Sequence, residues 1–246
     1  MFLPLRDENP SGKFAFVNIG LLAANIAVFF YQLTLTPHVF KAFVMANAMV
    51  PARVSGWVNG ATTFEAAFLP LITSMFLHAG FAHILGNMLF LWIFGDNVEA
   101  EFGHLQYLLF YLVCGVGAGL VHIAFNFHSH LPALGASGAI SGVMGAYIVL
   151  EPRNRILCLL FIFVIRVPAV IVLGGWFAMQ FLSGISSLGN AVNGGVAVWA
   201  HIGGFLIGIL IAMAAKRLDQ AFFAEFFEVV VDGFGDTVGV ESEKVT

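Results

Sequence analysis

Apolar runs separated by polar or Gly/Pro-containing breaks organise the chain. Ala15 to Leu35 reaches the roughly 20 residues that a helix needs to cross a bilayer. Thr36 to Thr73 is mixed, carries Pro37, Pro51 and Pro70, and predicts a large loop holding interfacial helices. His83 to Val98, continuing to Glu101, predicts a second span, and His104 to Phe127 a third. His128 to Ala136 is a polar break with Pro and Gly. The fourth run, Ser137 to Leu150, is short: fourteen helical residues cover about 21 Å, against a hydrocarbon core of ~30 Å. Such a helix, preceded by irregular backbone, must be buried among other helices or face a water-filled cavity. Ile156 to Leu182 predicts a fifth span, with Arg166 and Pro168 near its middle. Ser183 to Gly195 is a Gly/Ser/Asn-rich loop, and Val196 to Ala215 predicts a sixth span. The expected fold class is an all-α membrane protein: a six-transmembrane-helix bundle with a large first external loop and a short, central fourth helix.

Composition agrees. The chain is 60% hydrophobic and 10% charged, whereas soluble domains carry about 25% charged residues. The net charge of −4 suggests no nucleic-acid partner. Cys114 and Cys158 lie in apolar runs, read as free thiols, and match no metal pattern. The N-terminal residues place acids and prolines before any apolar run, so they do not read as a signal peptide. Arg6 and Lys13, Arg153 and Arg155, and Lys216 and Arg217 alternate with spans so that all three groups fall on one side. The positive-inside rule makes that side cytoplasmic. Both termini are then expected in the cytoplasm of a prokaryotic cell, with the first loop and the entrances to spans four and six outside. Ser137 and His201 share a depth on that outer side, His201 about 7 Å inside if its helix starts near Val196. Ala221 to Val231 pairs Phe with acids and reads as a segment along the membrane surface or as a plain extension. The expected organisation is an N-terminal tail (1–14), a six-helix domain (15–216) and a C-terminal tail (217–246).

Three groups of residues carry chemistry. Gly135-Ala136-Ser137-Gly138 puts a serine between small residues at a loop-to-helix junction, where free N–H groups favour negative charge. That suits a nucleophile whose attack creates an oxyanion; serine is also a favoured N-cap. A catalytic serine needs a base, and His201 is the histidine inside the last span. His201, Gly204 and Gly208 share one helix face, and glycines four apart admit close helix contact. That face can press onto the Ser137, Ser141 and Gly145 face of span four. His83 and Asn87, one turn apart at the start of span two, can donate hydrogen bonds to an oxyanion alongside the Ser137 N–H. They equally fit interfacial residues that satisfy loop carbonyls.

With these motifs in place, the sequence resembles the rhomboid family over roughly Phe14 to Arg217. The resemblance rests on Leu71 to Glu99 (LITSMFLHAGFAHILGNMLFLWIFGDNVE), Gly135 to Tyr147, Arg166 to Gln180 and Ala200 to Gly208. It implies an intramembrane serine endopeptidase with Ser137 as nucleophile, His201 as base, and His83 and Asn87 as oxyanion donors. The family works as a Ser–His dyad without an acidic third member, a cofactor or a metal. The implied substrates are single-pass membrane proteins, cut near the outer interface within the lipid bilayer. By resemblance His78 braces the first loop. Two positions depart from the family pattern. Ser141 stands where many bacterial members have an aromatic residue stacking on the base, and the first loop lacks a Trp-Arg pair. Three alternatives remain: a non-catalytic rhomboid-like binder of membrane helices; a small transporter using Arg166 and His122; and a metal site of His78, His83, His128 and His130. The transporter lacks an inverted repeat and intramembrane charges, and the metal site lacks carboxylates and regular spacing.

Overall fold

The computed structural model describes residues 2–187 and 197–217. In chain order the elements are β1 (Phe2–Asp7), α1 (Phe16–Thr34), α2 (Pro37–Asn47), α3 (Pro51–Val58), α4 (Phe64–Phe68), α5 (Pro70–Thr73), a 3-10 turn (Ser74–Phe76), α6 (Phe81–Phe102), α7 (His104–Phe125), α8 (Ser137–Leu150), β2 (Arg155–Leu160), β3 (Phe163–Pro168), α9 (Ala169–Ser187) and α10 (Val198–Arg217). Among the described residues, α1, α7, α9 and α10 are each long and apolar enough to cross a membrane. The stretch Phe64–Phe76 with α6, bent by 79° between them, passes the same test as a pair. With the short α8 these make a bundle of six apolar helices. The surface segment expected at Ala221 to Val231, and most of the loop expected before the last helix, lie outside the described residues.

The length of α8 decides its place. A helix too short to reach both faces of a bilayer cannot leave its ends against lipid, and α8 sits at the centre, buried continuously from Gly138 to Tyr147. Its tightest partner is α10. A Cβ on Gly204 would lie 2.0 Å from the Gly138 carbonyl oxygen, one on Gly208 2.0 Å from that of Gly142, and one on Gly145 2.1 Å from that of Phe205. The two backbones therefore touch directly, as small-residue faces allow. The expected glycines of the last span do meet the short helix, but the surface they meet is Gly138 and Gly142. Ser141 is buried and donates its hydroxyl hydrogen bond back to the Ser137 carbonyl at 2.6 Å.

The fifth span is shorter than the apolar pattern predicts. Of Ile156 to Leu182, only the part from Ala169 is helical. Arg155–Leu160 and Phe163–Pro168 form an antiparallel hairpin, and β1 pairs antiparallel with β2 to make a three-stranded sheet in the order β1-β2-β3. The physical reason is local. An apolar run rich in Ile, Leu, Val and Phe satisfies strand and helix alike by periodicity. Pro168 lacks the N–H that a continuous helix would need there, and the N-terminal residues supply the hydrogen-bonding edge. The first residues, expected as a simple tail, thus become a strand. Arg166 lies on β3, exposed and paired with Glu8 at 2.5 Å.

Polar anchors fix the remaining helices. Buried Glu99 accepts the first-turn N–H groups of Val17 and Asn18 at 2.9 and 2.7 Å and contacts His104 Nδ1 at 2.6 Å. A carboxylate there satisfies orphan donors at the positive end of α1. Buried Asp7 accepts hydrogen bonds from Asn97 Nδ2 and Tyr147 Oη, tying β1 to α6 and α8. At the same end Lys13 donates to the Ala100 carbonyl and Lys216 to that of Val149. The basic groups of the sequence thus gather at the end of the bundle opposite Ser137.

Candidate active site

At the other end, the long first loop folds into α2 to α5. α2, α3 and α5 each open with proline, whose missing N–H costs nothing in a first turn. This loop braces the segment before α8. Met49 and Ala133 exchange backbone hydrogen bonds at 3.0 and 2.7 Å, and the Gly135 N–H donates to the Ser74 carbonyl at 2.8 Å. The chain then turns at Gly135 with φ +123°, a value that side chains with a Cβ rarely adopt. Ser137 follows as the first residue of α8, where first-turn N–H groups have no partner within the helix.

Ser137 Oγ lies 2.8 Å from His201 Nε2. His201 is in the first turn of α10, about 4.5 Å along the axis from Val198. The close contact of Gly204 and Gly208 with α8 holds the two side chains at one level. The other imidazole nitrogen, Nδ1, lies 3.2 Å from Gln180 Oε1 on α9. The Trp176 ring, one turn before Gln180, is tilted against the imidazole with centroids 5.8 Å apart.

His83 and Asn87 approach from α6. The Ala79 N–H donates to His83 Nδ1 at 3.4 Å, which leaves the proton of a neutral ring on Nε2. A Cβ placed on Gly135 would fall 2.7 Å from that Nε2 and 3.6 Å from Asn87 Nδ2. Both donors therefore converge on the space left open by Gly135, two residues before the serine. Asn87 Nδ2 also donates to His78 Nε2 at 2.9 Å. Burial, reinforced by neighbouring His83, lowers the pKa of His78 to about 4, so at neutral pH its ring is uncharged and accepts this bond. Gln32 clamps His78 from α1, its Nε2 donating to the His78 carbonyl at 3.1 Å and its Oε1 accepting the His78 N–H at 3.1 Å. His78 thus links the first helix to Asn87.

Beside Ser137 a cavity of about 30 Å³ is lined by Ser74, Gly115, Ala118, Gly135, Gly138 and Ala200, among others. That is room for a water molecule next to the hydroxyl. Among the described residues no three His, Cys, Asp or Glu side chains are grouped to hold a metal; His128 and His130 lie exposed in the loop before α8. Gln180 is the residue at this site that the sequence reading did not single out. Its signal was its spacing from Trp176, one turn away on α9, which becomes meaningful only when α9 is docked against α10.

The fold is a multi-pass membrane bundle with a hydrogen-bonded Ser137–His201 pair at one end, an arrangement consistent with a catalytic dyad. The chain belongs to the rhomboid family: the Rhomboid domain model matches residues 65–217. It is similar to Rhomboid protease GluP of Bacillus subtilis, with 38% identity over 152 residues, 61% of this chain and 26% of that protein. It is also similar to RHOMBOID-like protein 6, mitochondrial, of Arabidopsis thaliana, at 33% over 163 residues (63% of this chain, 46% of the relative). A third relative is Rhomboid protein 1, mitochondrial, of Saccharomyces cerevisiae, at 32% over 147 residues (58% and 40%). The chain thus spans between about a quarter and under half of the length of these relatives. Family and geometry together support serine-hydrolase activity.

Proposed function

We propose that this protein is an intramembrane serine endopeptidase that cleaves transmembrane segments of other membrane proteins near the outer interface. The observation that carries the reading is the 2.8 Å contact between Ser137 Oγ and His201 Nε2. The convergence of His83 and Asn87 on the space beside Gly135 supports it. His201 takes the hydroxyl proton on Nε2 as Oγ attacks the scissile carbonyl carbon. The carbonyl π electrons move to oxygen, and the oxyanion is held by His83 Nε2–H, Asn87 Nδ2–H and the Ser137 N–H. Collapse breaks the C–N bond, and the proton on His201 passes to the leaving amine. A water in the cavity beside Ser137 then attacks the acyl carbon while His201 accepts its proton; collapse breaks the C–Oγ bond, releases the carboxylic acid product and returns the proton from His201 to Ser137 Oγ.

The substrate must present an accessible carbonyl. Helical carbonyls are already hydrogen-bonded, so the cut segment has to unwind locally. Helix-weakening Gly or Ser near the cut favours this. The basic groups collected at the far end support a cytoplasmic position for that end by the positive-inside rule, and with it a site that opens outward. The protease domain is assigned to residues 15–216, with β1 docked onto it from the N-terminal side.

A serine-directed fluorophosphonate tests the reading. Wild-type protein in proteoliposomes takes up the probe and cuts a transmembrane reporter, whereas Ser137→Ala and His201→Ala do neither. Cleavage that survives Ser137→Ala removes the nucleophile assignment. A helix-binding protein without catalysis binds the reporter and takes up no probe.

A further inference from the structure

Dyad chemistry leaves one requirement open. A neutral imidazole has two tautomers, and only the one protonated on Nδ1 offers an Nε2 lone pair to a serine hydroxyl. Something must select that tautomer and hold the ring plane. The residue one turn after the nucleophile does not do so here, because Ser141 spends its hydroxyl on the Ser137 carbonyl.

The selecting group stands on α9. Gln180 Oε1 is 3.2 Å from His201 Nδ1, on the side of the ring away from Ser137. The face that carries Gln180 is docked, not free. Trp176, four residues earlier, lies against His201 and Phe205. Four residues later, a Cβ on Gly184 would meet Ile202 at 3.0 Å and Trp199 at 3.5 Å. Positions 176, 180 and 184 thus form one stripe against the first turns of α10. An amide oxygen is an acceptor only, so a bond to it requires the proton on Nδ1.

We propose that Gln180 is a positioning residue of this site: its amide oxygen accepts the Nδ1–H of His201 and selects the tautomer whose Nε2 faces Ser137. The inference rests on the Ser–His reading above. The logic is that of the third member of a catalytic triad, which orients the imidazole and does not itself take the proton. Here the third member is uncharged. The amide fixes orientation without adding a full negative charge inside the bundle.

The test uses the full chain in proteoliposomes with Gln180→Leu and Gln180→Glu, reading reporter cleavage and fluorophosphonate labelling across pH. Gln180→Leu removes the acceptor with little change in volume. Its kcat falls on the order of 10- to 100-fold while KM stays near wild type, part of the 10²–10⁴-fold that a positioned base supplies. Gln180→Glu keeps an acceptor and recovers most of the rate. A carboxylate there also favours the imidazolium, so the acid limb of the kcat/KM profile moves to higher pH. The other groups facing His201 are His83 from α6, His122 from α7, Ser137 from α8 and Trp176 from α9. Histidine-selective 15N NMR of the wild type, with the His201 signal identified by its loss in His201→Ala, reports an Nδ1–H tautomer.

Any of these results overturns the proposal: unchanged kcat in Gln180→Leu; a pH profile identical in Gln180→Glu and wild type; or an Nε2–H tautomer in the wild type. Parallel losses of activity and thermal stability in both variants, with the acid limb unmoved, also overturn it, because they mark Gln180 as a packing residue. If Gln180→Leu unfolds, the NMR result and Gln180→Glu still decide. Failure of the underlying reading is separate, since it appears as cleavage by Ser137→Ala.

Discussion

Replacing Gly204 with alanine tests the contact that brings the nucleophile and base together. The added Cβ lies 2.0 Å from the Gly138 carbonyl oxygen, whereas ordinary contact begins at 3.4 Å. The Cβ is fixed by its own helix backbone and the oxygen belongs to the other, so no rotation about a side-chain bond relieves the overlap. The helices must part locally by about 1.4 Å to remove the overlap. Gly204 is one turn from His201 and Gly138 adjoins Ser137, so the displacement acts where the two side chains meet. A Ser137–His201 contact of 2.8 Å then opens to about 4 Å, beyond hydrogen-bonding range. Misplacing a reacting group by about 1 Å costs on the order of 10²-fold in rate, equivalent to about 2.7 kcal/mol of barrier. Overpacking costs a further 1–3 kcal/mol or so of stability. The assay is reporter cleavage and probe labelling in proteoliposomes, with thermal unfolding in detergent alongside. Gly204→Val should be worse than Gly204→Ala. Gly20→Ala on α1, where no atom lies within 4 Å of the new Cβ, serves as the control and should match wild type or gain slightly. Gly204→Ala with wild-type turnover and an unshifted Tm would refute the close α8–α10 contact and the account of how the dyad is held.

Substitutions at Asn87, Gly135 and Glu99 test the other parts of the site and its support. Asn87→Ala should lower kcat on the order of 10²–10³-fold with little change in KM, the usual loss of one oxyanion donor. Gly135→Ala should show a similar defect, because its Cβ overlaps His83 Nε2 and its φ of +123° is strained for alanine; normal turnover in either would remove His83 and Asn87 from the mechanism. Glu99→Ala strips the acceptor from Val17, Asn18 and His104 and should cost about 3 kcal/mol. It should lower Tm while leaving turnover per folded molecule near wild type, and an unchanged Tm would count against that anchor.

The number and order of the apolar helices were legible in the sequence, because hydrocarbon imposes a length and a composition on anything that crosses it. Ser137, His201, His83 and Asn87 were singled out by their spacing, which places polar groups at helix starts and on shared faces. The shortness of α8 even declared its central place. Other features depended on partners far away in the chain. Ile156 to Pro168 was expected as the start of the fifth span; its apolar run suits a strand as well as a helix, and the third strand of its sheet comes from Phe2–Asp7. The register of α10 against α8, on Gly138 and Gly142, is set by which backbones can touch. Gln180 acquires a meaning only when α9 docks and brings its amide to the far side of His201. Periodicity along one chain specifies what a segment must bury; which group it meets is decided when several such segments pack at once.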